Sequence, residues 1–275
     1  MHLSIQHCTQ YRYSENLNYT IQQLRLTPHD GFGQHVKNWN IRVNGHLHPT
    51  DDAFGNTVHT LVIDTPHTEI NILASGEVET GIASLTQIET LPVDIYLRYT
   101  PLTLPDKAIT DFAAPYFGQV NANIGLLDDM ILAILKRVPY VKSSTAVNTT
   151  AAAAFSLGAG VCQDHAHIFI SCCRSLGLPA RYVSGYLFIA QSPTAGPSEE
   201  LSLLESHAWA DVYLPETGWV SFDVSNGVRT SEYHVRLAVG LDYKDASPVS
   251  GIRTGGGDET MEVSVHVQQN QQSQQ

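Results

Sequence analysis

From Met1 to about Leu104, apolar and polar residues alternate in short runs. Asn38-Trp-Asn-Ile-Arg-Val43, Thr57-Val-His-Thr-Leu-Val-Ile63 and Glu69-Ile-Asn-Ile-Leu-Ala74 each repeat with the period of a strand that buries one face. Turn formers such as Asn44-Gly45 and Phe54-Gly-Asn56 separate them, so this region predicts an antiparallel sheet or sandwich. The Pro-punctuated stretch Thr100-Pro101-Leu-Thr-Leu-Pro105-Asp106 marks a change, and the pattern beyond it is helical. Asp128 to Arg137 carries acids in its first turn and bases in its last, as the helix dipole prefers, and Pro139 stops it. Ala151 to Ala154 with Phe155 is too short to be more than a turn of core helix.

A further helix opens at Cys162. Its apolar residues at 162, 166, 169, 170 and 173 predict one buried face, and it ends at Gly177 with Pro179 just beyond. Strand patterning then returns over Ala180 to Ile189, His207 to Tyr213 and Trp219 to Val224. The expected fold class is α+β: a β-rich amino-terminal domain over 1–105, a mixed core over 106–267 and a disordered Gln-rich tail over 268–275.

Charge and cysteine usage narrow the function. A formal net charge of -12 repels a phosphate backbone, so no nucleic acid is expected, and the thirteen histidines are scattered rather than gathered into a basic stripe. No stretch approaches the roughly 18 apolar residues of a membrane span, and the opening Met1-His-Leu-Ser-Ile-Gln-His-Cys8 does not read as a secretory leader. Four cysteines, two of them adjacent at Cys172 and Cys173, do not make a disulfide framework. These features predict a cytoplasmic protein with no membrane partner.

The candidate chemistry lies in three places. Ser156-Leu-Gly-Ala-Gly-Val-Cys162 runs a glycine-bearing loop into a helix, whose positive end favours a thiolate. Ser206-His207-Ala-Trp209 and Phe222-Asp223 supply an imidazole and a carboxylate. Acyl transfer by a thiol needs a base that later protonates the leaving amine, and a third group that fixes the base in one tautomer. If Tyr213 pairs with Trp219, residue 225 falls opposite His207 and Asp223 lies diagonally across from it on the same face, within side-chain reach. Trp209 and Tyr213 share that face, which predicts an aromatic-lined site. Taken singly, each residue has a plainer use: cysteine on an apolar helix face as core, histidine as a satisfied strand residue, aspartate as a turn former. Their joint spacing carries the reading, and Cys8, Cys172 and Cys173 keep the core one. A zinc site at Cys162, His165 and His207 has weaker support because no second cysteine pair exists, and Gly158-Ala-Gly160 lacks the third glycine and the lysine of a phosphate loop.

As a set, Gly158-Ala-Gly-Val-Cys162-Gln-Asp164-His-Ala-His167, Leu176 to Tyr186, Ser206 to Ala210 and Gly218 to Asp223 resemble the transglutaminase-like superfamily. More narrowly, they are similar to its bacterial branch of candidate cysteine peptidases. Tyr11-Arg-Tyr13 and Leu24 to Pro28 resemble the opening of that branch's β-rich amino-terminal domain; Asn226-Gly227, His234, Ala238 to Gly240 and Asp242-Tyr243 resemble the segment after the triad. The resemblance implies a papain-like core with Cys162 as nucleophile, His207 as base and acid, and Asp223 as orienter. It implies a peptide or protein substrate and no cofactor. His165 departs from the aromatic or aliphatic residue expected there and is expected to alter the pocket wall. The implied activity is a hydrolytic cysteine peptidase or amidase; a protein-glutamine transamidase and, from another class, an inactive protein-binding module are the alternatives. The second oxyanion donor stays open, with Trp209 and Gln163 as guesses.

Overall fold

The computed structural model describes residues 1–83, 90–119, 123–189 and 202–269. Its amino-terminal strands are β1 (His2–Leu24), β2 (Gln34–Val43), β3 (His46–Asp51), β4 (Thr57–Ile63) and β5 (His67–Thr80). Then come α1 (Lys107–Ala113), α2 (Gly125–Arg137), α3 (Ala151–Leu157) and α4 (Cys162–Ser175). Strands β6 (Ala180–Ile189), β7 (Ser202–Leu214), β8 (Gly218–Asp223), β9 (Val228–Arg229) and β10 (His234–Gly240) follow, then α5 (Tyr243–Ala246), β11 (Val249–Gly255) and β12 (Glu259–Gln269). All the strand pairings are antiparallel and the class is α+β. Among the described residues no helix is long and apolar enough to cross a membrane.

Strand β1 organises the amino-terminal part. Its first half pairs with β5 and β12, as in Leu3↔Val78 and Leu3↔Gln269. Its second half pairs with β4 and β11, as in Leu24↔His59 and Leu24↔Val249. The β1–β5 ladder breaks between Arg12 and Leu17, where the Ser14 and Glu15 amides instead donate to the carbonyls of Asp258 and Gly256 in the β11–β12 turn. One strand thereby runs through both layers of a sandwich, whose core includes Leu3, Leu17, Leu24, Leu61, Ile70 and Ile72. Asn44-Gly45 accordingly does not close a hairpin. It carries the chain from β2, paired with β5, to β3, paired with β4.

Two expected boundaries move. The segment before residue 105 packs on the mixed core, because Arg174 donates to the Tyr96 carbonyl and the Thr103 hydroxyl, and the Leu102 carbonyl accepts from Ala151 N–H. Residues 249–269 return to pair with β1 and so belong to the amino-terminal sheet rather than to a core running to 267. Gln268 and Gln269, expected in a disordered tail, instead pair through the backbone with Ser4 and Leu3; the rest of that expected tail, 270–275, lies outside the described residues.

In the core, β10, β6, β7 and β8 lie side by side, and β7 joins β12 through Leu203↔His266 and Ser202↔Val267. Helix α4 is surrounded by β6, β7, α1, α2 and α3, and every residue from Gln163 to Arg174 is buried. The sequence pattern predicts one buried face; polar residues on the others are instead drawn inside, where Arg174, His165 and His167 each find a partner. Arg174 donates to the carbonyls of Tyr96, Ala180 and Leu241. His165 donates to the Val138 carbonyl at 2.7 Å, and His167 Nε2 accepts the Tyr243 amide at 3.1 Å.

Side-chain amides fasten the sandwich to the core. Gln34 accepts from Arg236 N–H at 2.8 Å and donates to its carbonyl at 3.0 Å. Asn56 does the same with Val239, at 2.8 and 2.7 Å. A bulge between Arg236 and Ala238 turns these two residues, three apart, toward the same edge of β10. Each amide supplies the donor and acceptor that a neighbouring strand would have offered, so the edge is covered.

Candidate active site

Cys162 is the first residue of α4, where unpaired amides and the helix dipole favour negative charge. Gly158, at φ +70°, ends α3 in the left-handed region, and a Cβ on Gly160 would lie 2.8 Å from the Asp164 Cβ. The glycines therefore let the loop turn tightly against its own helix. Asp164 accepts the Val161 amide at 2.8 Å and the Thr145 hydroxyl at 2.6 Å, and Val141 N–H donates to the Gly160 carbonyl. The nucleophile position is thus tied from both sides, half-buried beside a cleft.

His207 enters from β7. Its Nε2 lies 2.8 Å from Asp223 Oδ2 at the end of β8. At that distance, with both side chains buried, imidazolium and carboxylate attract as opposite charges. Nδ1 is the nitrogen left for Cys162, whose thiol faces the same imidazole. Burial would lower the His207 pKa, but the hydrogen bonds and charges of Asp223 and Cys162 outweigh it and raise the value to about 10. Burial likewise works against ionisation of Asp223, yet donors from His207, His234 and Asn226 hold its carboxyl far below the usual range. Tyr213 pairs with Trp219 as the loop length predicts, but the β7–β8 ladder stops at Ala210↔Phe222 and a turn follows, so residue 225 never comes opposite His207.

His234, at the start of β10, also reaches Asp223. The Ser231 amide donates to its Nδ1 at 3.1 Å, which leaves the proton on Nε2, and Nε2 donates to Asp223 Oδ2 at 3.0 Å. The sequence offers no local signal for this, since it depends on a turn and an aspartate that only the fold brings to the ring. Donor atoms of His207, Asp223 and His234 lie within 4.8 Å of one another, the one such group among the described residues. A cation there would need the lone pair that the proton on His234 Nε2 occupies, so the trio fits a hydrogen-bonded cluster around Asp223 better than a metal site. The zinc alternative finds no support, because His165 is fully buried and already donates to Val138.

The cleft beside Cys162 also departs from two expectations. His165 forms no part of its wall, and its aromatics are Tyr11, Tyr182 and Tyr243. Trp209 packs instead with Val183 and Val239 in a small core of its own. Gln163 does line the cleft, with its amide donating to the Val147 carbonyl at 3.0 Å.

A helix whose first residue is a cysteine, packed on antiparallel strands that bring histidine and aspartate beside it, defines the class as a papain-like α+β core. The chain belongs to the transglutaminase-like superfamily: residues 111–224 match that superfamily, and residues 3–79 match the bacterial transglutaminase-like N-terminal region. An uncharacterized protein of Mycobacterium leprae is 27% identical over 277 residues, 96% of this chain and 98% of that protein. The crystal structure of a candidate cysteine protease from Cytophaga hutchinsonii has the same fold, with a TM-score of 0.73 and 21% identity over 98% of this chain and 92% of that one. A protein-glutamine gamma-glutamyltransferase of Pseudomonas aeruginosa is 30% identical over 106 residues, 37% of this chain and 16% of that protein.

Proposed function

We propose that the protein is a thiol-dependent acyl-transfer enzyme that hydrolyses peptide or carboxamide bonds. Cys162 is the nucleophile, His207 the base and acid, and Asp223 the group that orients His207. The observation that carries this reading is the buried imidazole of His207, which faces the Cys162 thiol on one side and the Asp223 carboxylate on the other. With its pKa raised to about 10, His207 holds a proton at neutral pH, as a thiolate–imidazolium pair requires.

In the acylation step the Cys162 sulfur forms a bond to the carbonyl carbon, and the Cys162 amide at the helix start stabilises the developing oxyanion. The C–N bond then breaks as His207 gives its proton to the departing amine. In the second step His207 takes a proton from water while the oxygen bonds to the acyl carbon. The C–S bond breaks, releasing a carboxylic acid and regenerating the thiolate. An amine in place of water gives a new amide by the same steps. The Pseudomonas aeruginosa transferase favours keeping that second reading.

Incubation with a glutamine-containing peptide and a labelled primary amine separates the two, since incorporated label marks transfer, and acid with ammonia or amine alone marks hydrolysis. Cys162→Ala should abolish either product, a fall on the order of 10⁴ or more. Iodoacetamide should modify Cys162 faster than Cys8 near neutral pH. Equal rates at the two thiols, or turnover that survives in Cys162→Ala, would sink the proposal.

A further inference from the structure

The cleft beside Cys162 encloses about 340 Å³ between two parts of the molecule. One wall is the start of α4 with β6 and β7. The other comes from the amino-terminal sheet, where Thr9 pairs with Val263 and Tyr11 with Met261 on the face turned to the cleft. Met261 and Val263 are 57% and 47% exposed, an unusual placement for large apolar side chains beside a nucleophile. Among the described residues no Lys, Arg, Asp or Glu lines the cleft, although the chain as a whole carries a net charge of -12. Of the acids of β12, Glu262 sits on the other face, where it meets Arg12 at 3.7 Å, and Glu259, outside the cleft at the start of the strand, is paired with Arg253 at 3.3 Å.

The backbone of β12 is as telling as its side chains. Along one edge it pairs with β1 from Glu259 to Gln269, and along the other it meets β7 only at His266 and Val267. From Glu259 to Val265 that second edge has no ladder partner among the described residues, and residues 259–264 are exposed. Unprotected strand edges of this kind take up extended chains, whose alternate side chains then fall on one face of the sheet. Inside the cleft, Ser184 is only 3% exposed, and its hydroxyl has no hydrogen-bond partner among the described residues. A buried hydroxyl left unpaired is costly, and a ligand's polar atom would relieve it.

We propose that acyl donors bind as an extended peptide laid along the free edge of β12, with uncharged apolar side chains on Met261 and Val263 and a backbone polar group on Ser184. The chemistry performed on that peptide rests on the Cys162 reading above; the binding does not. The amino-terminal sandwich and its returning strands thus form half of the substrate site, and they select for apolar sequence.

Binding is measured with the full-length Cys162→Ala protein and capped, fluorescein-labelled heptapeptides. One carries Leu and Val at alternate positions and another carries Asp there. Two more are the Leu/Val peptide N-methylated at alternate amides in either phase. The Leu/Val peptide should bind at least tenfold tighter than the Asp peptide, and one N-methylated phase should bind at least tenfold more weakly than its parent. Met261→Asp with Val263→Asp, both surface changes, should erase the preference, and Ser184→Ala should weaken binding several-fold. Equal affinity for the Leu/Val and Asp peptides, or indifference to both N-methylation phases, overturns the proposal. So does a sedimentation result in which the protein dimerises through this edge and excludes peptide. A wild-type protein that binds this peptide tightly yet never cleaves it would leave the site standing and remove only the catalytic reading.

Discussion

Two aspartates on neighbouring strands, Asp211 and Asp223, are both fully buried and both surrounded by donors, yet they are built for different ends. Asp211 accepts from Arg181 at 2.9 Å, from both terminal nitrogens of Arg236 at 2.7 and 2.8 Å, and from the Ser221 hydroxyl at 2.7 Å. Arg236 stacks 3.7 Å from the Phe32 ring centre and Arg181 lies 4.0 Å from that of Trp219, so this network also pins a loop of the sandwich to the core. Asp223 accepts from two imidazoles, the Asn226 side chain and the Ser225 hydroxyl. Burial opposes ionisation of both carboxylates, and in both the donors win and lower the pKa. A shifted pKa in a buried acid therefore does not mark chemistry. What separates the two is the partner. A guanidinium keeps its proton throughout, whereas an imidazole can release one, and His207 alone among these partners lines the cleft.

The sharpest way to break this comparison is to neutralise each acid in turn. Asp223→Asn should lower kcat on the order of 10⁴, because the amide favours the wrong His207 tautomer, a loss far beyond what its effect on the denaturant midpoint would explain. Asp211→Ala should do the opposite. It removes the buried carboxylate shared by Arg181 and Arg236 and should cost about 3–5 kcal/mol by urea titration, with kcat per folded molecule within about twofold of wild type. If Asp211→Ala lost activity without losing stability, the division between clamp and relay would be wrong.

The sequence makes one side of this comparison visible and hides the other. Strand β4 spans Thr57–Ile63 as its alternation predicts, and the Tyr213↔Trp219 register follows from the loop length. The fold also brings Cys162, His207 and Asp223 together. Each of those signals is local, or joins segments close in the chain. The return of β11 and β12 to β1 is not, because its ladder joins residues some 250 positions apart, such as Thr9 and Val263. The Asp211 clamp draws Arg181 and Arg236 from separate strands, with no motif to announce it. The polar residues of α4 suggest exposed faces, but His165, His167 and Arg174 all find partners inside. In Gln268 and Gln269, composition suggests disorder where backbone pairing provides order.

Titration sharpens the contrast from both ends of the pH scale. His207 has its folded pKa raised to about 10, so the stability it contributes is complete below about 6.5 and is lost as pH rises through about 10. The same proton is needed by the leaving amine, so kcat/KM should fall about tenfold per pH unit above that point. At the acid end, burial lowers His7 and His167 to about 4, and both stay neutral in the fold. Their contribution is present above about 6.5 and is lost as pH falls from there toward 4. Thermal melts should therefore show a Tm lower by roughly 5 °C or more at pH 4.5 than at pH 7. The Asp211 clamp holds no group that titrates in this range, so Asp211→Ala should shift the whole stability profile without changing its shape. A changed acid slope in that variant would couple the two networks.

His234 gives the smallest and most discriminating effect. It shares Asp223 Oδ2 with His207, packs edge-on against Trp209 with ring centres 5.4 Å apart, and has its tautomer set by the Ser231 amide. Because Nδ1 is occupied as an acceptor, His234 cannot relay a proton without breaking that bond; its part is to hold the carboxylate still. A positioning residue of this kind should be worth roughly tenfold in kcat, with KM unchanged, when replaced by Ala. The alkaline limb should stay near 10, because the charges of Asp223 and His207 remain. His234→Gln keeps an N–H donor and should recover most of the loss, which a merely packing role would not predict. Were His234→Ala to fall as far as Asp223→Asn, or to move the alkaline limb, His234 would be carrying protons itself, and Asp223 would stand between two active bases instead of one base and one brace.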